Sequence, residues 1–286
     1  MQKIKRNNIE VFKKCIEQSS NHMSCFFTET LVRLLLSYVP MLDYITKYNI
    51  QPRKAGSFGS GSCSHEVFLS QAFPNMQMFC FDKSSKYIPK YNWNYILENN
   101  NIEFVDVDLD HYEWSNLQSK FDYTFSIQTL EHIEDYQSAL VNLSSCVMPG
   151  GYIYVDTPHY SEKDEQESSD YLVNERKRQW DKHKHYHLGF SRKRMIDRLG
   201  NLGFEIIDSG YYSYHEGDTE LLKIIRSSGI YAKVKAEPLL AIFISYLLQN
   251  ILSKYEVKYR NIFDTIDEAM NQNRVASAIR ILARKI

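Results

Sequence analysis

Four short groups of residues between Lys54 and Gly151 have the types and the order of a nucleotide-cofactor site. Ser57-Phe58-Gly59-Ser60-Gly61 is a small-residue turn, where missing side chains let backbone N–H groups approach a ligand closely. Asp82 closes the apolar run Met78-Phe79-Cys80-Phe81, where a carboxylate can accept hydrogen bonds from both hydroxyls of a ribose. Phe121-Asp122 leads into Leu130-Glu131-His132, and Pro149-Gly150-Gly151 is the fourth group. Each group is expected at a strand's carboxyl end or in the turn after it, the ligand side of a parallel sheet. Asp106, Asp108 and Asp110 close a further apolar run. Alternation puts Asp106 and Asp108 on one side, and Asp108, farther from the strand body, can accept a hydrogen bond from an adenine amino group. No second acidic cluster adjoins these acids in sequence, and no metal is expected.

These groups need a scaffold of alternating strands and helices. Short apolar runs bounded by Gly, Pro, Asn or Asp predict strands over 54–58, 76–81, 102–105, 123–127, 151–156 and 204–208. Helical spacing predicts helices over 66–73, 136–147 and 191–202, the last opening on Ser191. Strands separated by helices imply parallel pairing with right-handed crossovers and a crevice at the carboxyl ends. Residues 1–52 read as a helical segment that braces or lids this domain, 53–215 as the cofactor-binding domain, and 216–286 as a helical extension for packing, dimerisation or substrate contact. Within the extension, 238–252 is strongly apolar but is interrupted by Ser245, Gln249 and Asn250 short of a membrane span. It is expected to be a core or homodimer helix, with an acceptor wall or a membrane surface as alternatives. The tail 262–286 reads as ordinary helix, and 161–170, rich in Ser, Glu and Asp, as a lid.

Composition excludes several classes. The 286 residues are 43% apolar, enough for a large core, and the formal net charge of −1 gives no basic excess for a nucleic-acid partner. Five scattered cysteines without a C-x-x-C pair read as reduced thiols of a cytoplasmic protein, and the amino terminus lacks a signal-peptide pattern. A dinucleotide fingerprint would place a third glycine at Ser64, so the turn is a poor NAD site.

The stretch Phe121-Asp122-Tyr123-Thr124-Phe125-Ser126-Ile127-Gln128-Thr129-Leu130-Glu131-His132, with Pro149-Gly150-Gly151 and the later Leu202-Gly203-Phe204, resembles the class I S-adenosylmethionine-dependent methyltransferases. It is most similar to their small-molecule branch, which includes the ubiquinone and menaquinone methyltransferases. The resemblance covers about 54–208 and implies an α/β, Rossmann-like, mostly parallel sheet of seven strands with the last antiparallel. That last strand is not evident in the sequence; 211–215 and 230–234 are candidates. The resemblance assigns Ser57, Gly59, Ser60 and Gly61 to the methionine part of the cofactor, Asp82 with Lys83 to the ribose, and Asp108 with Leu109 to the adenine. Ile127 and Gln128 would line the cofactor after the fourth strand. Two positions depart from the family: Ser57 stands where an acid is usual, with Glu66 a candidate to compensate, and Cys63 where a third glycine is usual.

Methyl transfer to a hydroxyl also needs a base. His159, after Asp156-Thr157-Pro158, is the first candidate, and His132 the second, with a structural role for His132 as the alternative. His183, His185 and His187 alternate, which on a strand would suit a metal or an acidic substrate and in a loop neither; no metal is expected. The reading is therefore a cytoplasmic methyltransferase using S-adenosyl-L-methionine on a small-molecule or lipid- or sugar-linked acceptor, O-methylation favoured. An inactive scaffold of the same fold and a nicotinamide oxidoreductase are the alternatives.

Overall fold

The computed structural model describes residues 41, 44–88, 90–110, 114–159, 184–214 and 276–286. Along the chain these form β1 (Lys54–Phe58), α1 (Ser64–Ala72), β2 (Gln77–Asp82), α2 (Lys90–Glu98) and β3 (Ile102–Asp106). They continue as β4 (Phe121–Ile127), α3 (Tyr136–Cys146), β5 (Val147–Pro158), α4 (Arg192–Asn201), β6 (Phe204–Tyr214) and β7 (Ala276–Lys285). The seven strands make one sheet in the order β3-β2-β1-β4-β5-β7-β6. β1 to β5 pair in parallel, and β7 runs antiparallel to β5. The chain divides into two compact units, 1–46 with 213–276 and 47–212 with 277–286. Of the first, Met41, Tyr44 and Ile45 are described as buried. The second carries the parallel strands.

Alternation along the strands sorts the core onto two faces. Phe58, Phe81, Phe121, Ile153, Val155, Ile279 and Ile281 join Leu140 and Leu143 of α3 and Met195 and Leu199 of α4 in one buried cluster. Phe58 stacks on Phe81 at 4.8 Å between centroids and meets Trp114 at 5.2 Å and Phe121 edge-on at 6.1 Å. On the other face α2 reaches β3 through Trp93, whose ring meets Phe104 edge-on at 5.9 Å. Each fully buried aromatic contributes on the order of 1.5–3 kcal/mol by leaving water. Helix starts follow the side chains available. Ser191 accepts from the Arg194 N–H at the start of α4, and Asp135 from the Ser138 N–H at the start of α3.

Two expectations are corrected here. The tail is not helical throughout: 276–285 is β7, whose Ala-Ile-Arg-Ile-Leu-Ala sequence is short and apolar enough to read as either element when its partner strand is unknown. The seventh strand is therefore neither of the segments expected, since 211–214 belongs to β6 and 230–234 lies outside the described residues. The N-terminal helices up to residue 40, the lid segment 161–170 and the apolar stretch 238–252 also lie outside the described residues. Among the described residues no helix is long and apolar enough to cross a membrane.

Candidate functional site

The strand order reverses at β1, which has β2 on one side and β4 on the other, so a crevice opens at the carboxyl ends of these strands. The turn after β1 is fastened there. The Gly59 and Ser60 N–H groups donate to the Phe81 carbonyl at 2.8 and 3.2 Å, and the Gly61 N–H donates to Asp82 Oδ2 at 2.7 Å. The two glycines have different reasons to be glycine. At Gly59 (φ +83°) a Cβ would stand 2.7 Å from Thr129 Cβ and nearer still to its Oγ1, so packing within the protein demands it. At Gly61 (φ +52°) a Cβ would meet no atom within 4 Å, so only the backbone conformation and whatever enters the crevice constrain it.

Asp82 is half-buried at the end of β2, beside exposed Lys83, and is not a helix cap; the turn at Ser85–Tyr87 is capped by Ser84. β3 ends at Asp106, in register with Asp82. Asp108, exposed, accepts from the Asp110 N–H at 3.2 Å, and Leu109 packs against the core cluster. Ile127 ends β4, and its carbonyl accepts from the Thr129 hydroxyl. Gln128 takes a left-handed backbone (φ +51°) while its side-chain amide donates to Asp156 Oδ1 at 2.8 Å.

Ser57 and Glu66 meet. The buried Ser57 hydroxyl donates to Glu66 Oε1, so a carboxyl from the first turn of α1 reaches the position where the usual acid is missing. Burial pushes the Glu66 carboxyl up to about 7, opposed by the Ser57 hydrogen bond and reinforced by the nearby Asp82 charge. Its Oε2 is buried without a partner among the described residues. Cys63, buried, holds a left-handed backbone (φ +54°) and caps α1, so the position where glycine is usual keeps a conformation that glycine adopts most easily.

The histidines take distinct places. His159 follows β5, and its Nδ1–H donates to the Phe190 carbonyl at 3.3 Å, which leaves Nε2 as the ring's acceptor. His132 is exposed in the turn Leu130–His132, with Nδ1 3.4 Å from the Lys184 carbonyl. His187 is an anchor: its Nε2–H lies 3.1 Å from the carbonyls of Ile133 and Glu134. His185 packs edge-on against His132 at 4.4 Å, and His183 lies outside the described residues. Glu131, named from the sequence only as part of the Leu130-Glu131-His132 group and given no role of its own, is buried, accepts from the Thr157 hydroxyl at 3.3 Å, and is pushed up to about 8 mainly by burial.

One of the four sequence groups, and the first half of another, are not at the crevice, whereas Leu130-Glu131-His132 does follow the carboxyl end of β4. Asp122 sits at the amino end of β4 and accepts from the Arg53 and Lys54 N–H groups. Pro149-Gly150-Gly151 lies in the amino-terminal part of β5 beside it, where Asp122, Pro149 and Gly151 line a hollow with Ile50 and Pro52. These residues set how β1, β4 and β5 begin. The expectation that every group marks a carboxyl end is therefore corrected, because a Pro-Gly turn reads alike at either end of a strand.

A seven-stranded sheet in this order, with β7 antiparallel and a small-residue turn against an acidic strand end, defines a class I S-adenosylmethionine-dependent methyltransferase fold. The chain belongs to the methyltransferase domain family, whose sequence model matches residues 44–209. No protein of curated function matches the sequence. Similar solved structures include a provisional sarcosine dimethylglycine methyltransferase from Galdieria sulphuraria, with TM-score 0.56 and 14% identity over 88% of this chain and 86% of that one. Phosphoethanolamine N-methyltransferase 2 of Haemonchus contortus, solved with S-adenosyl-L-methionine, has TM-score 0.55 and 16% identity over 87% of this chain and 52% of its own. The [4+2]-cyclase SpnF has TM-score 0.52 and 16% identity over 86% and 80% of the two chains.

Proposed function

We propose that this chain transfers the methyl group of S-adenosyl-L-methionine to an oxygen of a small-molecule or lipid- or sugar-linked acceptor. The observation that carries the reading is the closure of the Ser57–Gly61 turn onto Asp82 at the point where strand order reverses, with open space beside Gly61. The residues fit the cofactor. Ser60 and Gly61 would border its methionine part, Asp82 and Lys83 its ribose, Asp108 and Leu109 its adenine, and Ile127 and Gln128 its flank. Glu66, buried with one oxygen unpartnered, offers a carboxylate for the cofactor's ammonium, the role that the usual acid at position 57 would fill.

S-adenosyl-L-methionine supplies an activated methyl on a sulfonium, so the chain has to hold the acceptor in line and, for a hydroxyl, remove a proton. His159 suits the removal of that proton, because it follows the carboxyl end of β5 and its Nδ1–H is engaged by the Phe190 carbonyl, which orients the ring. An amine acceptor, already bearing a lone pair, would need no such base. The experiment is an acceptor screen read by S-adenosylhomocysteine release, with phenols, carboxylates and amines as the three arms. Turnover of hydroxylated acceptors that falls on His159→Gln supports the reading, and turnover of amines alone would overturn the choice of oxygen.

A further inference from the structure

We propose that Glu131, His132 and His185 form a binding site for a divalent transition-metal cation beyond the carboxyl ends of β4 and β5. One ligand atom from each of the three lies within 4.8 Å of the others, close enough for a single ion to bridge them. Two imidazoles and one carboxylate are the donor set of manganese, cobalt or zinc, whereas magnesium and calcium prefer oxygen alone.

The three come together through the backbone. Glu131 and His132 are neighbours in the turn Leu130–His132, and the Tyr186 and His187 N–H groups donate to the Glu131 carbonyl at 2.8 and 3.2 Å. His187 Nε2 fastens the same segment to Ile133 and Glu134, so His185 is held from its carboxyl side. The orientation of His132 suits a ligand as well. Lys184 presents a carbonyl to Nδ1, and a carbonyl can only accept, so the proton is on Nδ1 and the lone pair on Nε2. The Thr157 hydroxyl, bonded to Glu131 Oε2, gives the carboxylate a comparable support. Glu131 is buried, His185 half-buried and His132 exposed, which leaves an entry path from solvent.

Three protein ligands leave coordination positions for a substrate oxygen. A cation there would lower the pKa of an acceptor hydroxyl, close to the strand end that carries His159. That use rests on the methyltransferase reading; the cation site itself does not.

The test is titration of the chelator-stripped, tag-free full chain with cobalt(II), read by its visible absorption. One equivalent bound by the wild type, with affinity at least about tenfold weaker in His132→Ala and His185→Ala, is the expected result. Glu131→Gln, which keeps the shape of the side chain, should behave likewise. No cobalt spectrum in the wild type, or unchanged affinity in a folded His185→Ala variant, would overturn the proposal. X-ray absorption of the cobalt-loaded wild type needs no variant: two imidazole ligands support the site, and a shell without imidazole rejects it. Titration of the same preparations with S-adenosylhomocysteine separates the two readings, because cofactor binding without cobalt binding rejects only the metal site.

Discussion

Replacing Glu66 with glutamine should make the protein more stable at alkaline pH and a poorer cofactor binder. The carboxyl is buried, and its value stands at about 7 against an ordinary 4.5. The groups facing it are the Ser57 hydroxyl of β1, the Asp82 carboxylate at the end of β2 and the Cys80 thiol within β2; none is cationic. A raised folded value means that the unfolded chain releases this proton first as pH rises. The contribution is then whole below pH 4.5 and is lost progressively up to about pH 7. At about 1.4 kcal/mol per pH unit the loss comes to roughly 3 kcal/mol, a sizeable share of the stability of a typical domain. Glutamine keeps the size, still accepts from Ser57 through its carbonyl oxygen, and never ionises. Urea unfolding of wild type and Glu66→Gln at pH 5 and pH 9 isolates the difference, since every other titrating group is common to both. The variant should match the wild type within about 1 kcal/mol at pH 5 and exceed it by about 3 kcal/mol at pH 9. Parallel stability curves at the two pH values would refute the reasoning.

Gly61→Ala should cost only about 1–2 kcal/mol of stability for its left-handed backbone, yet weaken S-adenosylhomocysteine binding by about tenfold or more if the crevice beside it holds the cofactor; calorimetry beside thermal unfolding reads both. Gly59→Ala, driven into Thr129, should lose about 2–5 kcal/mol, and Thr129→Ala in the same chain should restore part of it. Asp82→Ala should weaken the cofactor by about 1.5–3 kcal/mol through lost charge-assisted hydrogen bonds, and unchanged affinity in a folded variant removes Asp82 from the site. His159→Gln should slow turnover of a hydroxylated acceptor by about a hundredfold or more while leaving cofactor affinity unchanged.

The sheet was legible because parallel strands are short apolar runs separated by helical spacing, and 54–58 is found at the bounds its flanking residues mark. The turn after β1 and the strand-end Asp82 were legible for the same reason: their place in the chain follows from the strand before them. β7 was not. Its partner β5 ends at Pro158, far back along the chain, yet Pro158 is paired with Ala278, Val155 with Ile281 and Tyr152 with Arg284, and nothing local records so distant a pairing. The partnership of Ser57 with Glu66 was readable as a compensation across nine positions, because one strand end and one helical turn separate them. The meeting of Glu131 and His132 with His185 was hidden. It depends on backbone hydrogen bonds from Tyr186 and His187 that no spacing encodes, although the alternation of His183, His185 and His187 was a partial signal.

Calorimetric titration of the purified chain with S-adenosyl-L-methionine and S-adenosylhomocysteine, with NAD as control, tests the central claim most directly. The account predicts saturable one-site binding of the first two and none of NAD. A folded chain that binds neither methyl-donor form, or that binds NAD, would contradict it.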